Sequence, residues 1–302
     1  MLSNAVLSRM GATMPGEEIA APAKSVPAAL PEDLLALAAY EYQTALTTCG
    51  DCQDYHATFG YARLADTKTG MKTDATALAS LLAGCAGPGV RVLIAASADA
   101  GLCALVAGVL AASKPAITVA DLCATPLAVC RFFAGMHGFA VDTLQLDVAR
   151  MPIPARSGVV LAHNVLSFVP PSLHTAFLTN LRNALVPGGT LVIGNRVRPR
   201  LQNRADPLAH GQHGRMVDAL QSKGIPLPED EAIFRHRLDR LDEERYSRPE
   251  GALDLPRIEA YFAATGFAVR ERIDGYAHSK GSKPTDSGDR ATSHFFAAQR
   301  ID

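Results

Sequence analysis

The chain has 302 residues, with 29 lysines and arginines against 30 aspartates and glutamates. That length suits one large domain with appendages and an ample core. The balanced charge excludes bulk attraction to nucleic acid or to an anionic membrane surface, and no apolar run approaches the ~20 residues that span a bilayer. Six cysteines in so long a chain do not read as a disulfide framework. Cys103, Cys123 and Cys130 sit in apolar segments, where a free thiol behaves as a small hydrophobe. A reducing, cytoplasmic setting is expected.

Residues 1–29 are rich in Ala and Pro without period and read as a mobile tail with no signal peptide. Residues 31–46 (PEDLLALAAYEYQTAL) begin with Pro and acids and continue at helical spacing. Further helices are expected at 52–64 and 73–83, broken at 66–70, so that 30–86 forms an N-terminal helical cap. Alternation then begins within a second unit, 87–302. Strands are expected at 90–95, 116–120, 139–146, 159–162 and 190–194, with helices at 101–112, 125–135 and 171–185 between them. Strands alternating with helices imply parallel βαβ units covered on both faces. Residues 196–252 break the pattern as a charged helical insertion, with helices near 211–223 and 229–246. A helix at 255–265 and strands at 268–273 and 293–300 close the chain.

Helix-to-strand punctuation is clearest at Leu185-Val186-Pro187-Gly188-Gly189-Thr190-Leu191-Val192-Ile193, where Pro and two glycines precede an apolar run. This stretch resembles the turn before strand five of class I S-adenosylmethionine (SAM)-dependent methyltransferases of the small-molecule type. The resemblance covers roughly 88–195 and, more loosely, 255–300. It implies a Rossmann-like, doubly wound α/β sheet, mostly parallel, with an antiparallel closing strand, plus the N-terminal helical segment.

Ligands of such sheets bind outside the carboxyl ends of the strands. The first strand runs into Ala95-Ala96-Ser97-Ala98-Asp99-Ala100-Gly101. The family's turn here is glycine-rich, and alanine gives up free access to positive φ, so this motif is degenerate. Ala96, Ser97, Ala98, Asp99 and Gly101 are the expected cofactor contacts. After the second strand, Asp121 and Leu122 match the family position where an acid accepts hydrogen bonds from the ribose diol. Asp147 and Val148 match the adenine position. His163 and Asn164 follow the fourth strand, where the family faces the methionine end of the cofactor and the substrate.

The cofactor implied is SAM, and the reaction is methyl transfer to oxygen or nitrogen of a small-molecule acceptor. Expected catalytic bases are His163 and His56, and expected substrate contacts are Tyr55, Phe168 and Arg198. Partners beyond that small molecule are not expected: no nucleic acid and no membrane, while a homodimer is compatible with the reading. Two other readings stand beside it. One is a methyltransferase-like binding protein without activity, suggested by the alanine-rich turn. The other is a nicotinamide-dependent oxidoreductase, disfavoured because no G-x-G-x-x-G follows the first strand.

Cys49, Cys52 and His56 cluster within eight residues. A closed zinc site needs four ligands. Only three are at hand unless His210 or His213 joins them, so no metal is expected. Tyr55, His56 and Tyr61 are expected instead to form a lid beside the cofactor. Arg196, Arg198, Arg200 and Arg204 follow the fifth strand and are expected to pair with acids of the 229–244 helix.

Overall fold

A strand buried on both faces needs apolar residues at successive positions, and β1 (Arg91–Ala95) and β4 (Ser157–His163) supply them. Val92, Ile94, Val159 and Leu161 point into one core, and Leu93, Ala95, Val160 and Ala162 into another. The computed structural model describes residues 32–66, 70–154, 156–197, 214–247, 253–277 and 292–301. The expected tail and residues 198–213 lie outside them.

Seven strands form one sheet in the order β3-β2-β1-β4-β5-β7-β6, with β2 Ala116–Asp121, β3 Asp142–Gln145, β5 Leu185–Val197, β6 Phe267–Ala277 and β7 Thr292–Arg300. The first five are parallel, and β7 lies antiparallel to both β5 and β6. This is the expected doubly wound sheet with its antiparallel closure.

On one face pack α3 (Gly70–Ala83), α4 (Gly101–Val109) and α5 (Ala124–Met136) through Leu78, Leu82, Leu105, Val129 and Phe133. On the other pack α6 (His174–Ala184) and α9 (Leu255–Ala264) through Phe177, Leu181, Ile258 and Phe262.

A third core holds the cap. Helices α1 (Glu32–Thr48) and α2 (Gln53–Leu64) share it with α7 (Gly214–Ser222) and α8 (Glu231–Ser247) from the insertion. Its members include Tyr42, Tyr61, Leu220, Phe234 and Leu238. Charge fastens the two parts together. Asp54 of α2 receives Arg237 at 2.8 Å and Arg240 at 2.7 Å, and Arg237 also reaches Glu229 at 2.7 Å. Of the arginines expected to pair with acids at 229–244, Arg198, Arg200 and Arg204 lie outside the described residues; arginines of that helix face the cap.

Two boundaries differ from the sequence reading. The third strand is only four residues long. Pro187-Gly188-Gly189 does not separate α6 from β5 but forms the irregular start of the strand, because Leu185 already pairs with Ser157 before the register shifts to Val159 and Thr190. Gly188 takes φ +72, and a Cβ on Gly189 would lie 2.9 Å from the Val186 carbonyl oxygen. Gly188 is therefore suited by its left-handed backbone and Gly189 by the lack of room for a side chain.

Candidate active site

The switch point of the sheet lies where β1 sends one neighbour, β2, to one side and the other, β4, to the opposite side. The carboxyl ends of these strands therefore frame the crevice. The turn after β1 opens with Ala96 at φ +59, a left-handed conformation that glycine adopts freely and alanine only under constraint. The constraint is visible. Ala96 N–H donates to the Ala120 carbonyl at 2.8 Å, and Ser97 N–H donates to Asp121 Oδ2 at 2.9 Å. The degenerate turn thus keeps the backbone path of a glycine turn.

Asp121 holds both flanks of the crevice. Its Oδ1 accepts from Cys123 N–H at 2.7 Å while Oδ2 accepts from Ser97. Each carboxylate oxygen has a second lone pair to offer a ligand. Burial pushes the Asp121 carboxyl up, against the pull of its two backbone donors. Leu122 beside it is 66% exposed, an apolar surface at the mouth. Met151 and Phe168 are also exposed large apolar residues, on the loops after β3 and β4.

The other expected cofactor contacts divide. Asp99 is occupied: Oδ1 accepts from Gly101 N–H at 2.8 Å and from Arg63 Nη2 at 2.9 Å, and Arg63 Nε meets Oδ2. A Cβ on Gly101 would lie 2.7 Å from Arg63 Nη2. The cap's arginine therefore covers Asp99 and Gly101, and Ser97 is buried with its hydroxyl given to the Asp99 carbonyl at 2.6 Å, leaving the half-buried Ala96 and Ala98 as the approachable part of the turn. Asp147 accepts from Ala149 N–H at 2.9 Å and pairs with Arg150 at 3.0 Å. Val148 is buried in the second core, and its carbonyl accepts from Asn180 at 2.8 Å.

At the end of β4, His163 Nε2 lies 2.8 Å from Asp74 of α3, both side chains nearly buried. Asn164 sits at φ +55, gives its N–H to the Gly194 carbonyl at 2.7 Å and accepts Arg196 N–H at 2.8 Å. The loop is thereby tied to β5. One β5 residue was not singled out from the sequence. Asn195 is 2% exposed, and neither end of its amide has a hydrogen-bond partner. Arg198, expected at the substrate, lies outside the described residues.

Tyr55 of α2 bridges the crevice mouth. Its ring is 6.0 Å from Phe168, and its hydroxyl is pushed up by burial and by the charges of Asp99, Glu41 and Asp121. Tyr61 instead packs inside the cap against Tyr42 and Phe234.

His56 is buried among cysteines. Cys49 Sγ and Cys52 Sγ lie 3.4 and 3.6 Å from Cys123 Sγ, and one ligand atom from each of Cys49, Cys52, His56 and Cys123 falls within 4.8 Å of all the others. The cluster thus has a fourth member that the sequence reading counted as an apolar filler, and the reason given for excluding a metal no longer holds. His210 and His213 lie outside the described residues. Burial raises the Cys49 and Cys52 thiols. At Cys123 the His56 imidazole overcomes burial and brings the thiol down to about 6.

A shallow depression of about 500 Å³, lined by residues 86–89 and 112–114, opens at the opposite end of the strands and offers one charged side chain, Lys114. No described helix is long and apolar enough to cross a membrane.

No family model matches the chain. Over 86 residues it is 31% identical to a carboxy-S-adenosyl-L-methionine synthase of Dichelobacter nodosus, a match spanning 28% of this chain and 35% of that protein. The match thus spans about a third of the length of this curated relative. Among solved structures, a putative methyltransferase of Bacillus halodurans overlaps with a TM-score of 0.49 at 18% identity, over 74% of this chain and 99% of that one. The N-methyltransferase NodS of Bradyrhizobium japonicum, in complex with S-adenosyl-L-homocysteine, gives 0.46 at 14%, over 75% and 85%. Magnesium protoporphyrin IX methyltransferase of Synechocystis, also with bound S-adenosyl-L-homocysteine, gives 0.48 at 13%, over 87% and 94%. The strand order with its antiparallel β7 is the Rossmann-like sheet expected from the sequence, and over 86 residues the chain is similar to a carboxy-S-adenosyl-L-methionine synthase.

Proposed function

We propose that the chain is a SAM-dependent methyltransferase acting on a small molecule. The observation that carries this reading is Asp121, set at the carboxyl end of β2 with one lone pair of each oxygen committed to the two flanking loops and a second on each left to accept from a ligand. A carboxylate held in this way suits the two hydroxyls of a ribose, with Leu122 as an apolar wall beside the base.

SAM would supply an activated methyl group on its sulfonium. The protein would then need only to align the acceptor, exclude water and take up a proton. Tyr55 and Phe168 would close the mouth over the reacting end. The base role falls to His163, whose Nε2 lies 2.8 Å from Asp74 Oδ2 and 3.0 Å from Asn164 Nδ2; the tautomer that gives Nε2–H to Asp74 would leave Nδ1 as the acceptor nitrogen. His56, held among three thiols, is withdrawn from that role.

The local match favours a second reading in which SAM is itself the molecule modified, as the name of the carboxy-S-adenosyl-L-methionine synthase describes for that protein. Both readings need the nucleoside site. Asp121→Ala is expected to weaken S-adenosyl-L-homocysteine binding by about 1.5–3 kcal/mol, the range for losing hydrogen bonds to a charged group. Calorimetry on the folded variant measures it, and unchanged affinity removes Asp121 from the site. Mass spectrometry of SAM after incubation separates the readings. A demethylated cofactor appearing only with an acceptor supports transfer, and a heavier SAM derivative supports the second reading.

A further inference from the structure

We propose that Cys49, Cys52, His56 and Cys123 form a structural metal site for one zinc ion, and that this site rivets the helical cap to the loop after β2. Four protein ligands of the Cys3His type, with no carboxylate among them, are the donor set of a closed structural zinc site. Thiolate-rich sets select soft and borderline metals over magnesium or calcium.

The geometry fits one ion. A tetrahedral zinc with Zn–S of about 2.3 Å sets its sulfurs about 3.8 Å apart. The two sulfur pairs here are 3.4 and 3.6 Å apart, and the whole set lies within 4.8 Å. A multi-iron cluster would hold its ligand atoms farther apart, because the cluster itself lies between them. A disulfide fits less well. Cys123 is nearly equidistant from Cys49 and Cys52, so either bond would strand the remaining thiol beside a buried imidazole.

The surroundings point the same way. His56 is 6% exposed, and its Nδ1 has no hydrogen-bond partner among the described residues. A buried imidazole nitrogen left unpaired calls for an explanation. Cys52 and Cys123 occupy the positions just before α2 and α5, and neither side chain caps its helix. Two helix amino termini therefore point at the sulfurs, and their dipoles favour thiolates. Cys52 and His56 stand four residues apart at the start of α2, on one face. Thr125 Oγ1 lies 2.9 Å from Cys49 Sγ and 2.7 Å from Thr48 Oγ1, a polar second layer that orients a ligand.

The site joins segments 71 and 74 residues apart. It also reaches the candidate nucleoside site, because Cys123 N–H is one of the two donors that fix Asp121. That coupling rests on the methyltransferase reading; the metal site does not.

The test uses the full chain without an affinity tag, purified in reducing buffer from zinc-supplemented medium. Elemental analysis is expected to give one zinc per chain, lost in Cys123→Ser and in Cys49→Ser. Cobalt(II) added to metal-stripped wild type should give the d–d and thiolate charge-transfer absorption of a tetrahedral site, which does not depend on a variant folding. Zinc well below one per chain together with no such cobalt spectrum overturns the proposal. So does a Cys49–Cys123 or Cys52–Cys123 disulfide found by peptide mapping of the freshly purified protein. S-adenosyl-L-homocysteine calorimetry on the same samples keeps the two readings apart. A metal-free chain that binds the ligand removes the zinc site alone, and one zinc per chain without ligand binding supports the site while removing the methyltransferase reading.

Discussion

Asp54 and Glu41 are carboxylates of the same helical cap, 9% and 1% exposed, and their surroundings push them in opposite directions. Asp54, where the cap meets the insertion, is ringed by Arg240 and Arg237. Burial works against its charge, but the two guanidiniums win and hold its carboxyl below the ordinary range. Glu41, where the cap meets the turn after β1, has Asp99 nearby and an Oε1 without a hydrogen-bond partner. Burial, reinforced by Asp99, pushes it well above the ordinary value. Satisfied charge therefore fastens the cap to the insertion, while the other end carries an acid satisfied at one oxygen only, with the Gly60 N–H and Arg63 opposing its burial. Proteins keep such costs where ligands act, because a packed, neutral contact there would have no room for one.

The largest expected effect breaks the satisfied side. Asp54→Ala leaves Arg237 and Arg240 facing a vacated position and should cost about 3 kcal/mol, the lower end for removing one partner of a nearly buried ion pair. Urea unfolding measures it. Because the folded-state pKa of Asp54 is lowered, its contribution is present above the unfolded value near 3.8 and is lost as pH falls through the folded one. The variant should therefore lose less stability than wild type on acidification below pH 4. An equal loss would show that the pair carries no linkage.

Glu41→Gln should erase the contrast. A raised carboxyl leaves stability intact below its unfolded value near 4.5 and drains it as pH rises toward the folded value. The neutral isostere should match wild type at pH 4 and exceed it at pH 8, read as a flatter dependence of the urea midpoint on pH. A wild-type midpoint that does not fall across this range would show that Arg63 and the Gly60 N–H offset the burial of Glu41.

The smallest effect sharpens the turn side. Ala96→Gly releases left-handed strain of about 1–2 kcal/mol and gives back about 0.4–1 kcal/mol in unfolded-chain entropy. The net should be a stabilisation of at most about 1.6 kcal/mol, seen as a small rise in melting temperature. A destabilised variant would show that the turn relaxes around alanine without strain.

The sheet was legible because its information is local. Each strand carries its own apolar run, and each crossover its own helical spacing. The place of Asp121, though not its proposed role, was legible for the same reason: a strand end closing on an acid is a short pattern, and that acid bonds the backbone of two loops. Contacts between distant segments were not legible. Asp74 reaches His163 from 89 residues away, and Arg63 reaches Asp99 from 36. Cys123 looked like part of an apolar helix start, and nothing between residues 52 and 123 says that these two helix amino termini face each other. Asn195 stands just past the run expected as the fifth strand, which in fact continues to Val197, and an amide there draws no notice until its lack of partners among the described residues is seen. Pro187-Gly188-Gly189 misled because turn chemistry and a bulged strand start use the same residues.

The cap also sets a timetable for synthesis. Its first two helices leave the ribosome before any strand, yet their apolar face is completed by Leu220, Phe234 and Leu238, and Asp54 waits for Arg237 across 183 residues. At the usual rate of about 5–20 residues per second, that gap lasts roughly 10–40 seconds. During that interval Tyr42, Tyr61 and their neighbours lack the partners that bury them, so the nascent chain carries an open apolar surface long before the sheet can close beneath it.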